Sequence, residues 1–356
     1  MPQRSRPGFR LALAATLLAV VVVLLGAYTR LTHAGLGCPD WPGCYGFLAV
    51  PMSEQAQSLA ALRFPDAPVE VQKGWNEMVH RYFAGALGLV ILGLAVQAVR
   101  QRSVPGQPLK LPLLLLAVVI AQAAFGMWTV TLQLWPQIVT AHLLGGFTTL
   151  SLLFVLSLRL SGQRLAVPPV PGRLRTLAMI SMLAVIAQVA LGGWVSSNYA
   201  AVACTDFPTC HGEWWPDMDF ANAFNLTHHD IGPNYLGGML YGEARTAIHL
   251  THRLGALAVT LILLALGWQL WRHGLPRLAA LLLAALALQI SLGISNVLLN
   301  LPLAVAVAHN GGGALLLLVT VLINHRLRLN PAAAAVPVPQ PHPNSNNTGR
   351  LDLPRA

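Results

Sequence analysis

Glu77-Met78-Val79-His80-Arg81 heads an apolar run, Tyr82 to Val99 (YFAGALGLVILGLAVQAV), in which no residue is charged. A bilayer core needs roughly 20 apolar residues in a helix, so this stretch reads as a membrane span with a carboxylate, an imidazole and a guanidinium at its edge. Ionisable groups there are costly and usually functional. Glu77 and His80 are three residues apart and share a helix face.

Seven further runs of this kind complete the chain. Including the first, they lie at about 11 to 29, 76 to 99, 111 to 131, 137 to 158, 174 to 195, 246 to 271, 278 to 298 and 302 to 323. Of the 356 residues, 55% are hydrophobic and 10% charged, against about 25% charged in an ordinary soluble domain. The mean hydropathy is +0.60. The expectation is an all-α polytopic membrane protein of eight transmembrane helices. The run from 11 has a basic lead, Met1 to Arg10, but it is long and lacks a small-x-small cleavage site, so it reads as an uncleaved anchor rather than a signal peptide.

Charge sets the orientation, because Lys and Arg near span ends favour the cytoplasm. Both termini and the even-numbered connections hold 16 of the 22 basic residues and a single acid, Asp352. The loops at 30 to 75 and 196 to 245 carry Arg30, Arg63, Lys73 and Arg245 against ten acids. Both termini are therefore expected in the cytoplasm, and these two loops outside. The net charge of +10 is scattered over short connections, which argues against nucleic acid as a partner. Bilayer lipid is the surrounding the chain calls for.

The two outer loops repeat one another. CPDWPGCYG begins at Cys38 and CTDFPTCHG at Cys204, both C-x-D-aromatic-P-x-C-x-G. Gly26 precedes Cys38 by 12 positions, as Gly192 precedes Cys204; Gln122, Gly126 and His142 are spaced like Gln289, Gly293 and His309; His80-Arg81 is echoed by His252-Arg253. A repeat of four spans preserves orientation, so the reading is two tandem four-helix bundles related by a parallel repeat. The expected divisions are 1–160, a linker at 161–173, a second bundle at 174–328 and a disordered Pro- and Asn-rich tail at 329–356. Loop 196 to 245 holds Trp214, Trp215, His228, His229 and Tyr235, aromatics that suit a cap on the membrane surface. All four cysteines, Cys38, Cys44, Cys204 and Cys210, lie on the oxidising side. Each pair encloses five residues and is expected to close a disulfide.

His80, His142, His252 and His309 each fall in the first two turns of an apolar run that begins outside, roughly 5 to 10 Å below its outer end at 1.5 Å per residue. Two imidazoles facing across a four-helix bundle are an arrangement for a six-coordinate haem iron. Four at one depth, in two matching pairs, favour ligation over isolated hydrogen-bonded core histidines. Small residues beside His142 and His309 would admit a flat ring or allow close helix packing. Zinc is the rival, with His249 and His252 on one face, although structural zinc wants four converging donors. Arg81 and Arg253 suit haem propionates or a snorkelling interface role. Glu77 is a candidate proton donor or acceptor, or a first-turn acid complementing the helix dipole; the second half has His249 in its place.

GAYTRLTHAGLGCPDWPGC (26 to 44), EMVHR (77 to 81), TAHLLGG (140 to 146), THRLGA (251 to 256) and AHNGGG (308 to 313) together resemble the haem A synthase family, in its proteobacterial and mitochondrial branch. The resemblance covers about residues 10 to 326. It implies an oxidoreductase that converts the porphyrin methyl group of haem O to a formyl group by successive hydroxylations. It implies a permanent haem b between His252 and His309, the substrate haem between His80 and His142, and Glu77 close to the reacting edge. It also implies a bacterial inner-membrane location with the cysteine loops periplasmic. The partners it implies are a haem O synthase (protohaem farnesyltransferase), the assembly of cytochrome c oxidase, and a redox partner that the motifs do not specify. The competing reading is a di-haem cytochrome b-type electron carrier; a transporter or thiol oxidoreductase without haem is the third.

Overall fold

The computed structural model describes residues 6–162, 168–226 and 233–329. The disordered-tail expectation for 330–356, the middle of the linker, and His228 and His229 lie outside them. Among the described residues there are helices, turns and two isolated β-bridges.

Among the described residues eight helices are long and apolar enough to cross a membrane: α1 (Phe9–Leu31), α3 (Val71–Arg100), α4 (Lys110–Thr131), α5 (Pro136–Leu160), α6 (Gly172–Ser197), α8 (Gly242–Arg272), α9 (Pro276–Leu298) and α10 (Leu303–Arg328). Two short helices, α2 (Glu54–Arg63) and α7 (Phe220–Ala223), sit in the cysteine-bearing loops. Their starts follow from capping: the Ser53 hydroxyl accepts from the Ala56 amide (3.2 Å) and the Asp219 carboxylate from the Asn222 amide (3.0 Å). Pro136 and Pro276 open α5 and α9, where a missing N–H costs nothing. The turns before α5 and α10 both place two consecutive non-glycine residues in the left-handed region, Gln133-Leu134 and Asn300-Leu301.

Packing divides the spans into two similar rings. α1 touches α3 and α5, and α4 touches α3 and α5; likewise α6 touches α8 and α10, and α9 touches α8 and α10. Between the rings α5 meets α6 and α10, and α10 meets α1. The largest cluster of buried apolar residues runs through all eight spans, from Ala12 and Leu87 to Leu263 and Ile323, and two smaller ones sit at the cysteine loops. Cross-links inside it are polar and few: Thr16 and Ser157 hydroxyls lie 3.0 Å apart, and the Asn324 amide donates to the Ala178 carbonyl (2.8 Å), the kind of bond that fastens helices where lipid supplies no hydrophobic drive. Leu17, Leu261 and Trp268 point outward. This is a multi-pass membrane protein.

Two expectations need correction. The helices carrying His80 and His252 start earlier than their apolar runs, at Val71 and Gly242. These imidazoles therefore lie nine and ten residues into their helices, deeper than two turns, while His142 and His309 lie six residues in. The cause is the polar lead-in, Gln72 to Asn76 and Glu243 to Arg245, which stays helical by packing on the cysteine loops rather than by contact with lipid. Glu77 is consequently seventh in α3 and not a first-turn acid. In the long loop, Tyr235 is buried, Trp214 borders the cavity described below and Trp215 stacks on Phe220.

Candidate functional site

The two cysteine loops are built alike, and their chemistry explains why. Cys38–Cys44 and Cys204–Cys210 are both bridged, as the sequence led us to expect. Inside each ring of residues an aspartate folds back on the chain: Asp40 accepts from the amides of Tyr45 (2.6 Å) and Gly46 (2.8 Å), and Asp206 from those of His211 (2.7 Å) and Gly212 (3.0 Å). Tyr45 and His211 are left-handed, and so are Gly46 and Gly212, which is why glycine ends the motif. The Thr209 hydroxyl and the Gly212 and His211 amides hold the Asp206 carboxyl down to about 2.

Each loop is pinned to a helix by the arginine beside a histidine. Arg81 donates to the carbonyls of Asp40, Pro42 and Gly43 and pairs with Glu77 (2.5 Å). Arg253 donates to the carbonyls of Thr209 (2.8 Å), Asp206 (2.9 Å) and Cys204 (3.2 Å). Glu77 is buried, and its other oxygen accepts the Cys38 amide (2.9 Å). In the second half, His249 Nδ1–H donates to the Ala200 carbonyl (2.9 Å). Glu77 and His249 thus both tie α3 and α8 to the chain leaving the preceding span. Among the described residues no cluster of three or more His, Cys, Asp or Glu could hold a metal ion.

Below the loops a continuous cavity of about 2060 Å³ is lined by His80, His142, His252 and His309, with Glu77, Arg81 and Arg253 at its margin. All four imidazoles border this one space. Every imidazole lies against a glycine of a neighbouring span. A Cβ built on Gly26, Gly126, Gly192 or Gly293 would stand 3.0, 3.3, 3.3 or 3.1 Å from Cε1 of His80, His142, His252 or His309 respectively. These four glycines were visible in the sequence as spacings of the repeat, but their role was not.

A family model for the COX15-CtaA cytochrome oxidase assembly proteins matches residues 9–321. The chain belongs to the COX15-CtaA family. This COX15-CtaA protein is similar to proteins named haem A synthase: that of Shewanella oneidensis is 47% identical over 83% of this chain and 88% of the relative. That of Mesorhizobium japonicum is 28% identical over 81% of each, and that of Shouchella clausii 25% over 72% of this chain and 74% of the relative.

The residues of this COX15-CtaA protein fit a haem at each imidazole pair. All four imidazoles border the cavity, and His80 Nδ1, His142 Nδ1 and His309 Nδ1 are buried with no hydrogen-bond partner. The glycines leave the rings free of crowding. His252 is held differently: its Nδ1 lies 3.0 Å from the side-chain amide nitrogen of Gln188, which also donates to the His252 carbonyl oxygen (2.8 Å). Gln122 donates to the His142 carbonyl (2.9 Å), and Gln289 reaches His309 Nε2 at 3.5 Å.

Sequence reasoning overlooked Arg30. It reaches from the end of α1 to the Ser196 carbonyl at the end of α6 (2.6 Å) and lies 4.0 Å over the Tyr199 ring, which stacks on His33 at 5.5 Å. The signal was available, since Tyr199 stands at the spacing of His33 in the repeat, but the contact between the copies was not.

Proposed function

We propose that this protein is a haem A synthase, oxidising the porphyrin methyl group of haem O to a formyl group and releasing haem A for cytochrome c oxidase. The observation that carries the reading is four imidazoles, at matching positions of the two halves, lining one cavity in a chain of this family. At the reacting carbon two successive hydroxylations and loss of water amount to a four-electron oxidation, so a redox partner is required. The substrate would come from a haem O synthase (protohaem farnesyltransferase).

In this reading 1–160 and 174–328 are tandem four-helix bundles in parallel repeat, joined by 161–173, with 329–356 as a tail. Both termini face the cytoplasm and the cysteine loops face the periplasm of a bacterial inner membrane. The matching helix contacts and the basic residues of the opposite end support it. His80 and His142 would ligate the substrate haem, and His252 and His309 a permanent haem b, which supplies redox chemistry when bound. The anchoring of His252 by Gln188, where the repeat has Val22 in the first half, favours the C-terminal pair as the fixed one. Arg81 and Arg253 line the cavity, and Arg253 Nε has no partner; both would meet haem propionates as well as hold the loops. Glu77, fixed by Arg81 and the Cys38 amide, would accept or deliver a proton beside the substrate edge.

The test is extraction and chromatography of the bound haems from cells with and without haem O synthase. Haem b plus haem O or A, with the latter two absent when the synthase is missing, is the expected pattern. Unmodified protohaem at both sites of active protein would indicate an electron carrier instead.

A further inference from the structure

The two halves hold their imidazoles alike but differ in the wall beside them. On α3, Gly85 and Gly88 line the cavity, and a Cβ built on either would meet nothing within 4 Å. Glycines that serve helix packing look different: a Cβ on Gly193 would come within 3.1 Å of Thr140 and 3.2 Å of Leu143. Counting from the shared histidines, the second half has Leu257 and Thr260 at these positions, and counting from the shared glutamines it has Ile290 where α4 has Ala123. All three larger residues also line the cavity. Gly85, Gly88 and Ala123 thus leave an open stretch of cavity wall between α3 and α4, bordered by Leu89 and Ile120, which are 71% and 62% exposed.

We propose that this gap between α3 and α4 is the berth of a long isoprenoid chain on the tetrapyrrole bound by His80 and His142, and that Leu257, Thr260 and Ile290 close the second half to such a chain. The inference rests on the proposed activity and deepens it. Haem O differs from protohaem in carrying a farnesyl-derived chain. A flat ring fits both pairs, whereas a chain of many methylenes needs an apolar path that leads out to lipid. The first half leaves side chains off that path at Gly85, Gly88 and Ala123, where the second half carries Leu257, Thr260 and Ile290. The halves therefore select their haems by shape at the helix walls and not by the iron ligands, which are the same.

Full-length protein in detergent is loaded with haem O or with protohaem, and uptake at the His80–His142 site is taken as the binding lost in a His80→Ala control. Gly85→Leu combined with Ala123→Ile is expected to keep protohaem affinity while weakening haem O at least about tenfold, since each methylene denied burial weakens binding severalfold. Gly88→Val gives the same selective loss should the double variant fold poorly. Equal loss of both haems, or loss of neither, overturns the berth. A wild-type protein that takes up no haem O at this site overturns the proposed activity itself.

Discussion

Gly26 of α1 lies directly under the imidazole of His80 on α3, so close that a Cβ on the glycine would stand 3.0 Å from His80 Cε1. Gly192 stands in the same way to His252. Gly26→Ala should push the His80 ring from its position, at a typical overpacking cost of about 1 to 3 kcal/mol. The expected outcome is haem O retention reduced by roughly 5- to 150-fold, with haem b content unchanged. Pigment analysis of the purified variant checks it, and unchanged haem O retention would show that the contact is slack.

Glu77 is tied to Arg81 and to the Cys38 amide, so removing its charge and removing its shape are different experiments. Glu77→Gln keeps an acceptor of the same size and should retain both haems while conversion to haem A falls by about 100-fold or more, the usual worth of a positioned acid or base. Glu77→Ala removes the charge partner of Arg81 but leaves its three carbonyl acceptors, and should lower thermal stability as well. Equal activity of the glutamine variant and wild type would remove Glu77 from the chemistry.

The two disulfides close rings of the same size, with a sequence separation of 6. Chain entropy alone assigns each about 2 kcal/mol, and both loops keep their aspartate and arginine clamps when the bridge is cut. Cys204→Ser/Cys210→Ser should therefore lower the melting temperature modestly and leave haem content intact. A loss of haem b in this variant would show that the loop does more than cover the site.

Asp206 has its carboxyl held at about 2, against an ordinary 3.8, by hydrogen bonds to Thr209, Gly212 and His211. A lowered folded-state value means that the ionised form is the one stabilised. Its contribution is complete above about pH 4 and fades as pH falls towards 2. Asp206→Asn should make the His211 and Gly212 amides exchange faster with solvent at neutral pH, and the difference from wild type should vanish only in that acid window. Amide exchange by mass spectrometry on the 203–213 peptide measures it; no difference at pH 7 would mean that the disulfide holds the turn alone.

Arg30 joins the halves through the Ser196 carbonyl and the Tyr199 ring. Arg30→Met is expected to loosen the junction by about 2 kcal/mol, the range for a hydrogen bond from a charged group, seen as a lower melting temperature with both haem pairs still occupied.

Much of the architecture was legible in the chain because a bilayer imposes length and apolarity on anything that crosses it. Eight runs became eight helices, and a nine-residue motif repeated 166 positions apart announced two similar loops. Cysteine number, side and spacing pointed to both bridges, since a pair enclosing five residues on an oxidising face can close a disulfide. Helix starts were less legible: the lead-in before Glu77 is polar, and hydropathy stops where packing against a folded loop takes over.

The sequence by itself determined the residue types available for the chemistry: four histidines, two arginines, one carboxylate in the first half and an imidazole in its place in the second. Only the tertiary structure decided what each one faces. It set Arg81 and Arg253 against loop carbonyls, a glycine beneath every imidazole, Gln188 against His252, and Arg30 across the junction. Periodicity fixes which side of a helix is apolar, but which residues of two helices meet depends on how their axes cross and slide. The open ground beside Gly85 and Gly88 belongs to the same class, because a missing side chain becomes space only where no neighbouring helix fills it.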